Sequence, residues 1–418
     1  MSSGPRAVTA CRACGNASLV PVLDLGDQFL TGVFPRHAQA PITRGPLQLV
    51  KCHGDAAEAC GLVQLRHSYA PDELYGEGYG YRSSLNASMA EHLTRKVAAI
   101  CDTVRLSAGD IVCDIGSNDG TLLRAYPSRG LTLVGIDPLS AKFGATYPAG
   151  SERIAAFFSA ATFRRHFGGR KAKVITAIAM FYDLEDPLGT MREIADVLAD
   201  DGLCVLEQSY LPTMLRVNAY DTVCHEHLEY YAMTQMAWLA GRAGLKVVGV
   251  ERNEVNGGSF SVALAHARAP DPAADDATAA LVAEERAAGI DDLACYEAFR
   301  RRVERHRDEL RERLDKIRAE GRTVLGYGAS TKGNVILQYC GLTARELPCI
   351  AEVNHDKFGC VTPGTWIPIV SEAEAHAMAP DVFLVLPWHF RENLVAREAR
   401  FLAAGKRMLF PLPVVEET

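Results

Sequence analysis

The sequence predicts an α/β protein: a small cysteine-bearing module, a central sheet domain and a second, smaller α/β domain. Short apolar strands alternate with helical segments from Asp110 onward, the same grammar resumes after Thr323, and four cysteines stand in front of both. At 418 residues the chain exceeds the usual single core, so two or three separately packed units are expected. With 48% apolar residues and a formal charge of −7 it reads as globular. Its 44 Lys and Arg against 51 Asp and Glu leave no basic excess for a nucleic-acid partner. No secretory segment is evident and the apolar runs are shorter than a membrane span, so a cytoplasmic protein without membrane contact is expected.

Residues 1–72 form the first unit. Cys11-x2-Cys14 offers two thiolates from a tight turn, and Cys52 and Cys60 supply two more from a second loop. Four soft ligands suit tetrahedral zinc in a closed, structural site. His53 could replace one ligand, and reduced cysteines without metal are the competing reading. The second unit, residues 73–267, opens on the Gly- and Tyr-rich run Tyr75–Tyr81, a loop or cap, followed by a helix over Met89–Val104. Strands are expected at Ile111–Ile115, Thr132–Ile136, Val174–Ile178 and Leu203–Glu207, with a helix over Leu188–Leu198. Lys246–Glu251 and Ser259–Ala265, around an Asn-Gly-Gly turn, complete the sheet as an antiparallel hairpin. The third unit, residues 268–418, begins with helices whose stripe of Phe299, Val303, Leu310, Leu314 and Ile317 should pack on another domain. Thr323–Tyr327, Ile350–Val353 and Val382–Leu386 repeat the strand signal.

Two segments carry chemistry. Asp114-Ile115-Gly116-Ser117-Asn118-Asp119-Gly120-Thr121 follows a strand, where Gly116 and Gly120 permit tight turns and Asp114 or Asp119 can accept hydrogen bonds. Asp137, at the end of the next strand, could receive both hydroxyls of a ribose. An adenosyl cofactor is expected here, a plain acidic loop being the alternative; the dinucleotide G-x-G-x-x-G order is absent. Further on, His225, Glu226 and His227 concentrate proton-transfer groups beside Tyr230 and Tyr231, in a spacing unlike the H-E-x-x-H of zinc hydrolases.

The run DIGSNDGTLL at 114–123 resembles the cofactor segment of the sugar C-methyltransferase family, and His225 through Tyr231 resembles its catalytic H-E-H-L-x-Y-Y segment. The resemblance covers nearly the whole chain: a zinc-binding N-terminal module, a central class I methyltransferase domain and a smaller nucleotide-sugar-binding α/β domain. It implies S-adenosylmethionine held by Asp114, Gly116 and Asp137, with Gly120 supporting the loop. It also implies methyl transfer to C3 of a nucleotide-linked 4-keto-6-deoxy sugar. An unactivated sugar carbon is a poor nucleophile, and a neighbouring ketone allows its proton to be removed by storing charge on oxygen as an enolate. His227 is the expected base, Glu226 tunes or orients it, and His225 is an orienting or shielding neighbour. Tyr75, Tyr79 and Tyr81 are expected to cap the substrate, an ordinary Tyr-rich surface loop being the alternative, and Tyr182 to face the same cavity. Asn256-Gly257-Gly258-Ser259 is expected to aim backbone amides at the charged oxygen, a turn without catalytic contact being the alternative.

A similar C-terminal domain in the family holds the nucleotide, which implies Ser330, Lys332 and Asn334 at the substrate, Lys332 adding charge at a helix start. Relatives commonly carry Tyr where this chain has Cys224, and His where it has Asn256. An O- or N-methyltransferase and a noncatalytic nucleotide-sugar-binding protein are the competing readings. The sequence does not choose an oligomeric partner.

Overall fold

A computed structural model describes residues 4–55, 59–75, 81–127, 130–269 and 275–418. The N-terminal module contributes β1 (Arg6–Ala7), β2 (Leu19–Phe29), β3 (Arg44–Cys52), β4 (Val63–Leu65) and β5 (His67–Ser68). The central domain contributes β6 (Ile111–Ile115), β7 (Thr132–Ile136), β8 (Glu152–Ile154), β9 (Ala172–Ile178), β10 (Leu198–Ser209), β11 (Glu229–Tyr230), β12 (Leu245–Asn253) and β13 (Ser259–His266). The C-terminal domain adds β14 (Val324–Tyr327), β15 (Ile350–Glu352), β16 (Ile369–Ser371), β17 (Val382–Val385), β18 (Arg407–Phe410) and β19 (Glu416–Glu417).

The central sheet runs β12-β13-β10-β9-β6-β7-β8. Its strands are parallel except β13, which lies antiparallel to both β10 and β12 as the hairpin expectation requires. Helices cover it, so β6 is buried on both faces and reads as a continuous apolar run. The helix Ala87–Thr103, capped by Asn86, turns Met89, Leu93, Val97 and Ile100 onto Val112, Val174 and Val205 of the sheet. β6 and β7 have the expected limits. β10 starts earlier than expected, because the polar stretch Ala199–Asp201 is carried as an irregularity in its pairing with β9.

The C-terminal sheet runs β16-β15-β14-β17-β18-β19, parallel apart from β19. Its order reverses at β14, so a crevice opens outside the carboxyl ends of β14 and β17. The helix Leu293–Ala319 buries the expected stripe within the chain. Its His306 donates from Nε2 to the Pro411 carbonyl and accepts at Nδ1 from the Tyr220 hydroxyl (3.1 Å), joining the central and C-terminal domains.

The N-terminal sheet runs β11-β4-β3-β2, so a strand from the central domain completes it and the module does not close on its own. β2 and β3 escape the sequence reading because Pro21, Asp24 and Gly26 break the alternation, and the structure absorbs them as two shifts of register. Among the described residues, no helix is long and apolar enough to cross a membrane.

Candidate active site and metal centre

The four Sγ atoms of Cys11, Cys14, Cys52 and Cys60 all lie within 4.8 Å of one another. The pairs Cys11–Cys60 and Cys14–Cys52 are 3.6 Å apart. Zinc–sulfur bonds of about 2.3 Å set tetrahedral edges of roughly 3.8 Å, so the donor set and its spacing both fit the ion. Asn16 Nδ2 lies 3.4 Å from Cys52 Sγ, an outer-shell donor. Hydrogen bonding to Cys52 pushes the Cys11 thiol up to about 12, and the same contact holds Cys52 below the ordinary thiol range. A divalent cation relieves that competition by taking all four sulfurs. His53 is not part of the cluster.

A cavity of about 370 Å³ lies where the carboxyl ends of β6, β7 and β9 face those of β14 and β17. Gly116 (φ 69°) forms one wall, and a Cβ there would stand 2.8 Å from Met180 Cγ. Asp137 lines the cavity while its carboxylate accepts from the Asn118 amide at 2.8 Å and the Leu139 amide at 2.6 Å. Asp114 accepts from Thr176 Oγ1 at 2.6 Å, and burial pushes its carboxyl up to about 7. Asp119 is off the wall and braces the loop, accepting from the Ser84 amide and the Thr121 hydroxyl. Gly120 (φ 72°) is also off the wall; a Cβ there would press on Tyr147 at 2.9 Å.

The same cavity is lined by Tyr75, Tyr182, Glu226, His227, Asn256, Ser330 and Lys332, with Tyr81 half-exposed. Tyr79 lies outside the described residues. His227 donates from Nδ1 to the Thr222 carbonyl at 2.9 Å, which leaves Nε2 as the acceptor. Its ring packs on Tyr182 with centroids 4.3 Å apart. The ring keeps some surface toward the cavity but protein surrounds it; that enclosure, and then the charge of Lys332, push its pKa down to about 3.

Burial raises the Glu226 carboxyl, opposed by hydrogen bonds from the Cys224 thiol and the Thr31 hydroxyl. A Cβ on Gly32 would fall 1.9 Å from Glu226 Oε1, so only glycine leaves room for that oxygen. No hydrogen bond joins Glu226 to His227 among the described residues. The orientation expected from Glu226 comes instead from Thr222.

His225 is buried away from the cavity wall, 3.3 Å from Thr31 Oγ1 through Nδ1 and edge-on to Tyr69. The chain then joins the N-terminal sheet: Leu65 donates to the Leu228 carbonyl at 2.8 Å, and β11 pairs with β4.

Two further expectations change. Asn334 is buried off the wall, where Nδ2 donates to the Thr31 carbonyl at 2.8 Å and ties the N-terminal module to the C-terminal domain. The Gly257 and Gly258 amides donate within their own turn, to Glu254 and Val255, and are not free for a substrate oxygen. The Asn256 carbonyl receives Lys332 Nζ at 2.7 Å, and Asp221, held by Trp388 Nε1 at 2.8 Å, is the carboxyl that acts on Lys332. Ser330 caps the helix Thr331–Tyr339 through the Gly333 amide and keeps its own hydroxyl proton to donate. Sequence reasoning missed Asp183 and His389 on the cavity wall, and the cradle of Thr31 and Gly32. Asp183 had a usable signal, an acid just beyond a strand end; the cradle had none.

Three family models tile the chain: a putative zinc binding domain at residues 11–75, a methyltransferase domain at 86–250 and a C-methyltransferase C-terminal domain at 254–413. C-methyltransferase NovU of Streptomyces niveus is 34% identical over 414 residues, 98% of this chain and 96% of its own. Among solved structures, the CcbJ methyltransferase of Streptomyces caelestis aligns at 14% identity and a TM-score of 0.34, covering 46% of this chain and 94% of that one. An S-adenosylmethionine-dependent methyltransferase of Clostridium acetobutylicum aligns at 10% identity and 0.34, covering 42% and 92%.

Proposed function

The chain belongs to the three-domain, S-adenosylmethionine-dependent C-methyltransferase family, and on that premise we propose that it methylates C3 of a nucleotide-linked 4-keto-6-deoxy sugar through an enolate. One observation carries the reading: a single cavity between two α/β domains brings together the cofactor loop, Glu226 with His227, and Lys332 at a helix start. Cys11, Cys14, Cys52 and Cys60 hold zinc as a structural ion, away from this chemistry. Asp114, Gly116 and Asp137 hold S-adenosylmethionine, which supplies an electrophilic methyl carbon when bound.

The remaining work falls to the protein. His227 Nε2, unprotonated because Nδ1 is committed to Thr222, takes the proton from C3 while the electron pair moves toward the C4 oxygen. C3 thereby becomes the nucleophile. In the free protein burial, and then the charge of Lys332, depress His227. A substrate diphosphate lying against Lys332 and Ser330 would offset that charge and remove the lesser of the two causes that depress His227, burial being the larger. Tyr75 and Tyr182 shield the reacting carbon from water.

The test is product analysis with a ¹³C-labelled cofactor methyl group. Carbon–carbon coupling to C3 of the sugar is expected; a label attached to oxygen or nitrogen replaces this reading with one of the other methyltransferase classes.

A further inference from the structure

Asp183 ends the short turn Phe181–Asp183 just beyond β9, directly after the Tyr182 that packs on His227, and it lines the cavity beside Glu226. Its Oδ1 is enclosed and has no hydrogen-bond partner among the described residues, while the Tyr75 hydroxyl, which donates to the Glu226 carbonyl at 3.4 Å, also interacts with the carboxyl group. Among the described residues, the ionisable groups that act on it are Tyr75, Cys224, Glu226, Glu229 and Tyr230, and none of these is a cation. Arg12 lies between Glu185 at 3.5 Å and Glu229 at 3.8 Å, and Lys332 faces Asp221, Cys224 and His227. An enclosed carboxyl beside a second one, with no counter-charge, keeps its proton. Burial first, and Glu226 second, hold it well above the usual carboxylate range.

The reaction needs such a group. The Gly257 and Gly258 amides are consumed in their own turn, and Cys224 points its thiol at Glu226. We propose that Asp183 works in its protonated form, donating a hydrogen bond to the C4 oxygen of the substrate as that oxygen gains charge. The inference rests on the ketone of the proposed substrate. The C3–H bond breaks, its proton goes to His227, and its electron pair moves through C4 onto oxygen. The Asp183 proton stays on Asp183 throughout; the hydrogen bond strengthens as the enolate forms and relaxes when C3 takes the methyl carbon, the sulfur–methyl bond breaks with its pair left on sulfur, and the ketone returns. A neutral donor in a dry site stabilises that charge without presenting a second negative charge to it.

The experiment compares Asp183→Asn and Asp183→Leu in the zinc-replete full chain. C3 hydrogen exchange with solvent, cofactor affinity and the infrared carbonyl stretch of protonated carboxyls are recorded for each. Asparagine retains a donor of the same shape, so exchange should stay within about tenfold of wild type, whereas leucine should lower it about 10²–10³-fold, with cofactor affinity kept in both. Wild-type exchange should also fall as pH rises through the raised Asp183 pKa, a limb missing in Asp183→Asn. The infrared band should be present in the wild type at neutral pH and absent from Asp183→Asn, whatever the substrate. Three results overturn the proposal: Asp183→Asn as inactive as Asp183→Leu, loss of cofactor affinity in Asp183→Asn, or no band belonging to Asp183. A band without any exchange by the wild type overturns the substrate reading, and this role with it.

Discussion

The cofactor loop and the catalytic segment face each other across one cavity, yet they are held in opposite ways. Residues 114–121 are set inside the central domain, by the end of β6, by two glycines with positive φ and by Asp137, Ser84 and Thr176. Residues 222–230 have little regular structure and are gripped from outside. Thr31, Gly32 and β4 hold them from the N-terminal module, and Trp388 and Lys332 reach the adjoining Asp221 from the C-terminal domain. The loop proposed for the cofactor is therefore held by one domain, and the segment proposed for proton transfer by three.

Perturbing each region separately tests that division. The largest effect belongs to His227→Gln, which keeps polarity but removes the base: turnover should fall about 10²–10⁴-fold while cofactor affinity by calorimetry is unchanged. Glu226→Gln should also impair the reaction. Solvent exchange at C3 that survives in His227→Gln and vanishes in Glu226→Gln would transfer the base to Glu226.

Next comes zinc. Elemental analysis should find about one zinc per chain, and Cys52→Ser should loosen β3 and β4 and, through them, β11. Turnover should drop by about 10–100-fold, with the cofactor still bound; equal loss of both would mean that the module supports the whole fold rather than the catalytic segment.

The smallest effect lies on the cofactor side. Asp114 is raised to about 7 in the free protein, and a cationic ligand favours its ionised form. Binding below that pH must release a proton, so affinity should weaken by up to about tenfold per unit as pH falls through and below that value. Calorimetry in two buffers of different ionisation enthalpy reads the released proton directly. Affinity that is flat with pH would remove Asp114 from the cofactor.

The contrast also explains what the sequence could and could not disclose. IVCDI and TLVGI announce β6 and β7 because both faces are buried, and Gly116 and Gly120 are legible because their backbone conformations demand glycine. Cys11, Cys14, Cys52 and Cys60 are legible as ligands because thiolate chemistry leaves few alternatives. His225-Glu226-His227 discloses its chemistry but not its geometry, since Thr222 rather than Glu226 fixes the His227 tautomer. Asn334 misleads because its place in the first turns of a helix suits a phosphate, whereas its side chain is claimed by Thr31. Gly32 carries no local signal at all, because its requirement arises from a carboxylate far away in sequence.

Gly32→Ala therefore separates the two regions most sharply, with cofactor affinity and C3 exchange measured on the same preparation. A Cβ at 1.9 Å from Glu226 Oε1 forces that carboxylate to move while touching nothing in the cofactor loop. Cofactor affinity is expected to be unchanged and exchange slowed about 10²-fold, the effect of a displacement on the order of 1 Å in the cavity wall beside the reacting groups. Exchange at the wild-type rate, or loss of cofactor binding in parallel with exchange, would contradict it.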